Sequence, residues 1–200
     1  MTSAPITKTT LSDLHNDPSS ISVDPSLGLK KRHLEHVALV LDLFQGHGTM
    51  AKIENGFTDD ACYEDPVAYA KNRTEVAGQL LHIPTVTSST KTHKANVIKF
   101  TRGVSTTSGT DRKAESDLIE VEFNHDLTFV VGPTYNLDTV LQIYSTPDGI
   151  VRLQDRPGSS IPDNGFAMAL RKLNGIVAPK AAGVPQTSEE DLKLAKQHEK

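Results

Sequence analysis

The spacing of the apolar residues changes near the middle of the chain, and this change constrains the fold more than any other feature of the sequence. In the first half the apolar residues recur at the helical period, as Leu34, Val37 and Leu41 do. From Lys94 to Gln154 they mostly alternate with polar residues, at the period of a half-buried strand. Helices that precede a run of antiparallel strands predict an α+β domain.

Three helices and one short strand are expected in the first half. The helices cover Ser26–Gln45, Met50–Phe57 and a third segment that Thr74 caps and that stops before Pro84. Between the second and third helices, Ala61–Glu64 alternates like a strand and is stopped by the Asp-Pro pair that follows it. The expected order is therefore helix, helix, strand, helix.

Four strands are expected in the second half. They cover Lys94–Val104, Asp117–Val131, Leu137–Tyr144 and Gly149–Gln154, with a hairpin turn between the last two. The second of them is so long that a bend, bulge or turn is expected near Asn124–Asp126. An antiparallel sheet with helices on one face tends to curl around them, so we expect a pocket between the two layers.

Composition sets the limits of this domain. Residues 1–25 are rich in Thr, Ser, Pro and Asp and have no apolar period, so they are predicted to form a flexible N-terminal arm. Residues 178–200 combine prolines with a charged run and are predicted to form a flexible C-terminal tail. The folded domain is expected to span residues 26–177.

Charge and hydropathy exclude several classes of function. The net charge is −4 and no basic cluster is longer than Lys30–Arg32, so a nucleic-acid partner is not expected. No stretch approaches the roughly 18 apolar residues of a membrane span, and no signal-peptide pattern is seen. With a single cysteine, Cys62, these features predict a soluble cytoplasmic protein. His33 and His36 flank Glu35 as polar residues on an exposed helix commonly do, so no metal site is predicted.

One short motif resembles a known family. The segment Phe57–Val67, which reads FTDDACYEDPV, resembles the entry strand of ketosteroid isomerases and SnoaL-like proteins. With the order of the elements, the resemblance covers about residues 30–156. It implies N-terminal helices packed on a strongly curved antiparallel sheet, which together form a cone with a pocket. It also implies a small hydrophobic or polyketide-like ligand, no cofactor, and a homodimer formed through the open sheet.

The resemblance also implies roles for individual residues. Asp65 matches the aspartate of the family's Glu-Asp-Pro motif and would be the base that takes a proton from carbon beside a carbonyl. The family's oxyanion tyrosine is replaced by Leu41, and Asp138 lies near the position of a second oxyanion acid. A missing oxyanion donor typically costs ~10²–10³ in rate, so steroid isomerisation itself is not expected. His82 and His125 are weaker candidates for an acid or base.

Element order alone suggests further residues near the pocket. The candidate lining residues are Leu41, Tyr63, Tyr69, Phe123, Gln142 and Tyr144. Each of them has a plainer alternative, since most aromatic side chains in a core only pack. At the end of the last strand, Arg152, Asp155 and Arg156 are interpreted as a solvated edge rather than as ion pairs at a subunit contact.

Two functions from different classes fit these observations. The first is a cofactor-free isomerase, cyclase or dehydratase that uses Asp65. The second is a non-catalytic ligand-binding or protein-interaction module, as in proteins that resemble nuclear transport factor two. Leu41 in place of the oxyanion tyrosine, the two long tails and the acidic C-terminal run favour the second function. An Asp65 carboxylate held by backbone and pointing away from any cavity would exclude the enzyme.

Overall fold

The computed structural model describes Leu11 and residues 13–66, 68–130 and 134–157, and these residues form an α+β domain. Its helices are α1 (Lys31–Phe44), α2 (Met50–Gly56), α3 (Arg73–Leu80) and α4 (Ile83–Val86). Its strands are β1 (Ser22–Val23), β2 (Phe57–Glu64), β3 (Tyr69–Ala70), β4 (Thr87–Thr107), β5 (Lys113–Phe129), β6 (Thr134–Thr146) and β7 (Gly149–Pro157). No helix among the described residues is long and apolar enough to span a bilayer.

The seven strands form one mixed sheet in the order β1-β4-β5-β6-β7-β2-β3. Strands β4 to β7 pair with their neighbours antiparallel, as expected, but β2 pairs parallel with β7 and β1 pairs parallel with β4. The prediction of a purely antiparallel, strongly curved sheet is therefore wrong, because the sheet is mixed and is not strongly curled. The alternation of apolar and polar residues along a strand shows which of its faces is buried. It does not show whether the neighbouring strand runs parallel or antiparallel.

The first helix starts later than its apolar spacing predicts. Pro25–Leu27 forms a 3-10 turn, and Gly28 leaves it with a left-handed φ of 67°. The helix begins at Lys31, where the backbone N–H of Lys30 donates to Nδ1 of His33 at 2.9 Å. The imidazole of His33 therefore accepts a hydrogen bond from the backbone N–H of Lys30, which has no partner within the helix.

Asn72, and not the predicted Thr74, caps α3. The Oδ1 atom of Asn72 accepts a hydrogen bond from the N–H of Glu75 at 2.9 Å. Pro84 does not exclude a helix, because it lies in the first turn of α4, where a missing N–H costs nothing. The chain thus turns from α3 through α4 into β4 without a long loop.

Strand β4 is longer than predicted at both ends, and β5 begins earlier than predicted. The irregularity expected near Asn124–Asp126 occurs at that level of the sheet but on the neighbouring strand, between Thr92 and Lys94. At the tip of the β4–β5 hairpin, the N–H of Gly109 donates to the carbonyl of Asp60 on β2 at 2.8 Å. The hairpin therefore reaches across the sheet to β2, several strands away.

The core lies between the inward face of the central strands and α1. The fully buried residues there include Leu39, Leu43, Ile119, Phe123, Leu141 and Ile143. Apolar residues that precede α1, including Leu14, Ile21 and Val23, pack against this core. Part of the segment predicted as an arm thus contributes to the domain. Residues 1–10, residues 158–177 of the predicted domain and the predicted tail, residues 178–200, lie outside the described residues.

Candidate functional site

A cavity of about 540 Å³ lies at one end of the domain. It is bounded by the ends of α1, α3 and α4 and by β2, β4, β5, β6 and β7. Its apolar walls include Phe44, Leu80, Ile83, Leu127 and Phe129. A cavity of this size lies in the range of small-molecule sites, roughly 300–1,000 Å³.

Tyr63 and Asp65 at the end of β2 form the first polar group of the cavity. The Tyr63 hydroxyl donates to Oδ2 of Asp65 at 2.9 Å. The other carboxylate oxygen, Oδ1, accepts from the N–H of Ala68, and the N–H of Asp65 donates to the Ala68 carbonyl at 3.1 Å. Asp65 thus closes the turn after β2 with one oxygen while it lines the cavity.

Asp155 on β7 supplies a second, deeply buried carboxyl. It lines the cavity, is only 5% exposed, and its Oδ1 accepts a hydrogen bond from the Thr139 hydroxyl. Burial raises the pKa of Asp155 to about 6, and the nearby charge of Asp65 acts in the same direction. The interpretation of Asp155 as part of a solvated edge is therefore wrong. The alternation of β7 could have found it, because Leu153 and Asp155 lie on the same face.

Burial also raises the pKa of Tyr63 well above its ordinary value, and the charges of Asp65 and Asp155 add to the effect. Its phenol stays protonated at neutral pH and acts as a hydrogen-bond donor. Tyr63, Asp65 and Asp155 therefore form one electrostatically linked group in the cavity.

His82, which follows α3, lines the same cavity. Its Nδ1 lies 3.1 Å from the carbonyl of Gly78, and a carbonyl can only accept. Nδ1 therefore carries a proton and donates to the Gly78 carbonyl.

The other candidate acid and base residues lie in different environments. Asp138 is exposed at the start of β6 and lines the cavity rim. His125 is fully buried and is not among the described lining residues. Its Nδ1 lies 2.9 Å from Oγ1 of Thr92, and its ring stacks on Phe123 with centroids 5.0 Å apart. Burial lowers the pKa of His125, so the ring is neutral near pH 7.

Of the residues expected to line the pocket, Tyr63 lies there and the others lie elsewhere. Leu41 and Phe123 belong to the buried core. Gln142 donates to Glu120 at 2.8 Å and Tyr144 donates to Gln154 at 3.2 Å, all on the outer face of the sheet. Tyr69 pairs with Glu64 on that face. Among the described residues, no cluster of three or more His, Cys, Asp or Glu side chains could hold a metal ion.

Comparison with known proteins gives structural likeness only. No protein-family model and no curated protein matches the chain. Solved structures that resemble it include an NTF2-like protein of unknown function from Exiguobacterium sp. 255-15, with 15% identity, 62% of this chain and 99% of that chain covered, and a TM-score of 0.43. An NTF2-like protein from Anabaena variabilis ATCC 29413 is 12% identical, with 67% and 92% covered and a TM-score of 0.44.

A third structure, an LEH-like epoxide hydrolase from M. tuberculosis, is 15% identical, with 78% of this chain and 95% of that chain covered and a TM-score of 0.41. The family resemblance expected from the sequence thus recurs among solved structures. Identities and TM-scores this low carry no argument about activity.

Proposed function

We propose that this protein binds a small, largely apolar molecule in the cavity and moves a proton on it without a cofactor. The observation that supports this proposal is the hydrogen-bonded pair of Tyr63 and Asp65 in an apolar cavity that also buries Asp155. Carboxyl groups with different environments in one cavity are typical of acid and base sites. The reaction class is isomerisation, cyclisation or dehydration of a hydrophobic or polyketide-like substrate.

In the proposed isomerisation Asp65 is the base. The substrate C–H bond beside a carbonyl breaks, the proton passes to the Asp65 carboxylate, and the same proton returns to another carbon of the substrate. No electrons leave the substrate, so the step needs no oxidant or reductant. Tyr63 orients the carboxylate through its hydroxyl, and the apolar walls keep water from the carbanion.

The experiment compares wild type with Asp65→Asn in melting and turnover assays against small carbonyl-containing and aromatic metabolites. A ligand at ~100 times its Kd adds about 2.7 kcal/mol to the apparent stability. We expect at least one compound to stabilise both proteins and only wild type to consume it. Asp59→Asn, which removes an exposed acid from the same strand, is the matched control and should retain turnover.

A compound that Asp65→Asn consumes at the wild-type rate would contradict the role of Asp65. If no compound raises the melting temperature of either protein, the pocket function itself fails.

The alternative is a non-catalytic ligand-binding or protein-interaction module. It is supported by the turn bonds of Asp65, since a carboxylate that accepts from the Ala68 N–H already has a structural role. It is supported also by Leu41, a core residue where the family's enzymes place a donor. A ligand that binds without being consumed, and that also binds Asp65→Asn, would favour this module.

Three broader proposals follow from the same resemblance. The first is that the helices and the sheet enclose the cavity as a cone. The second is that the protein acts in the cytoplasm. The third is that two copies associate through the outer face of the sheet. The proposed dimer is supported by Ile98, an apolar side chain that is 50% exposed on this outer face. Ile98 lies beside a second, more open cavity of about 490 Å³. A single monomeric species in sedimentation experiments would contradict the dimer.

A further inference from the structure

The Asp, Glu, Lys and Arg side chains that the described residues place on the wall of the main cavity are all acidic. Asp65, Asp138 and Asp155 line it, and the described residues supply no Lys or Arg to its wall. An anionic ligand would be repelled at this site, whereas a cation would gain Coulomb energy that water screens poorly in a partly enclosed cavity. The lining therefore selects the sign of the ligand's charge.

Asp155 provides a carboxylate oxygen to which none of the described residues donates. Its Oδ1 is satisfied by Thr139, but among the described residues no group donates to its Oδ2. Asp155 is only 5% exposed, and it lines the cavity. Oδ2 is accessible from the cavity, because it is not among the fully buried side-chain atoms that lack a partner. A ligand N–H that donates to this carboxylate oxygen would form a charge-assisted hydrogen bond and would be stabilising.

The rest of the wall suits an organic cation rather than a hydrated metal ion. Phe44, Tyr63, Phe129 and Tyr135 present aromatic rings, and Leu80 and Ile83 add aliphatic surface. Aromatic faces attract ammonium groups and also bury the apolar body of a ligand.

We propose that the ligand is an amphipathic amine, whose protonated nitrogen donates to Asp155 and whose apolar body packs on the aromatic wall. This inference rests on the proposed function, since it names the class of molecule that the same cavity takes. Asp65 remains available for chemistry on the ligand, because Asp155 anchors the amine.

Three compounds that share an indole ring and differ in the charge of their side chain test this inference. Tryptamine is a cation, tryptophol is neutral and indoleacetate is an anion. The chain has no tryptophan, so indole fluorescence excited beyond the tyrosine absorption reports the ligand alone. Fluorescence titration of the full-length protein near neutral pH should show tryptamine binding at least about tenfold more tightly than tryptophol, with indoleacetate weakest.

Asp155→Asn keeps the shape of the side chain and removes its charge. We expect this variant to lose the preference for tryptamine, a change of about tenfold, while tryptophol binding stays within about twofold. Asp148→Asn, in the exposed turn between β6 and β7, makes the same change in net charge and should retain the full preference. If Asp155→Asn does not fold, Asp138→Asn at the rim should weaken tryptamine selectively.

Equal binding of tryptophol and tryptamine to wild type would overturn the amine inference and leave the pocket function intact. A preference that survives in a folded Asp155→Asn variant would overturn it as well, and so would a preference that survives in Asp138→Asn if Asp155→Asn does not fold. If none of the three compounds binds, the amine inference fails, and the melting assay with carbonyl compounds decides separately whether the pocket function fails with it.

Discussion

At the scale of single residues, Asp155 shows how burial changes the chemistry of an ordinary side chain. On an exposed strand its carboxyl would be ionised and inert. Inside the cavity, burial raises its pKa to about 6 and Asp65 adds to the shift, so the ionised form costs free energy in the folded state. Such a group destabilises the folded state, and it also provides a site that can bind a cation or a proton.

Asp155→Asn is therefore expected to stabilise the protein in a pH-dependent way. Because the folded-state pKa is raised from 3.8 to about 6, the contribution of Asp155 to stability falls as pH rises through this window. The variant should be more stable than wild type by roughly 1–3 kcal/mol at about pH 8. This gain should vanish below about pH 3, where both states are protonated.

Urea denaturation at the two pH values measures this difference, with Asp148→Asn as an exposed control that should differ little from wild type at either pH. A gain for Asp155→Asn of the same size at both pH values would mean that the effect arises from packing and not from ionisation.

At the scale of elements, the tip of the β4–β5 hairpin is locked onto β2 by backbone contacts. An ideal Cβ on Gly109 would lie 1.7 Å from the carbonyl oxygen of Lys71, so only glycine fits. Arg112 forms an ion pair with Asp60 at 2.7 Å beside it. The docked hairpin covers Cys62, whose thiol lies 3.7 Å from the carbonyl of Thr107.

Gly109→Ala is expected to undock the hairpin tip, because backbone atoms cannot move away as a flexible side chain would. Overpacking of this kind typically costs 1–3 kcal/mol, here taken as about 2 kcal/mol. Cys62 is the single cysteine, fully buried, and burial raises its pKa to about 11. Its reaction with a thiol reagent should become about tenfold faster or more in the variant.

Ser105→Ala, at an exposed position of the same hairpin, is the control and should leave the thiol rate unchanged. Unchanged thiol reactivity in Gly109→Ala would show that the tip contact does not protect β2.

At the scale of the whole molecule, a buried ion pair joins the N-terminal segment to the domain. The Asp42 carboxylate on α1 is fully buried and accepts from Nζ of Lys52 on α2 at 2.7 Å. It also accepts from the backbone N–H groups of His15 and Asn16 at 2.8 and 2.9 Å. One carboxylate therefore connects two helices and the segment that precedes β1.

Asp42→Ala should release this segment and destabilise the whole domain. Removing one partner of a buried ion pair typically costs about 3–5 kcal/mol, because the other charge stays buried. Urea denaturation should show this loss, and trypsin should cut more rapidly near Lys30 under native conditions. Lys31→Ala breaks the exposed pair with Glu35 instead, where Lys31 is 83% exposed, and should change stability by less than about 1 kcal/mol.

If Asp42→Ala unfolds no more easily than Lys31→Ala, the segment is not coupled to the core in the way these contacts require.

Much of the local structure could be predicted from the sequence. The apolar face of α1, the alternation of β5 and β6 and the turn between β6 and β7 follow from the spacing of residues close together in the chain. The position of Asp65 at the end of β2 was predicted by a short motif. These features are set by short-range sterics and by which face of one element is apolar, so the residues themselves report them.

Other features were decided only in the tertiary structure. The parallel pairing of β2 with β7, the docking of His15 and Asn16 on Asp42, and the entry of Asp155 into the cavity each join parts of the chain that are far apart in sequence. Alternation assigns Asp155 to a face of β7, but only the packing of α1, α3 and α4 against the sheet makes that face the wall of a cavity. Sequence spacing reports local preference, whereas strand partners and buried polar contacts depend on long-range packing.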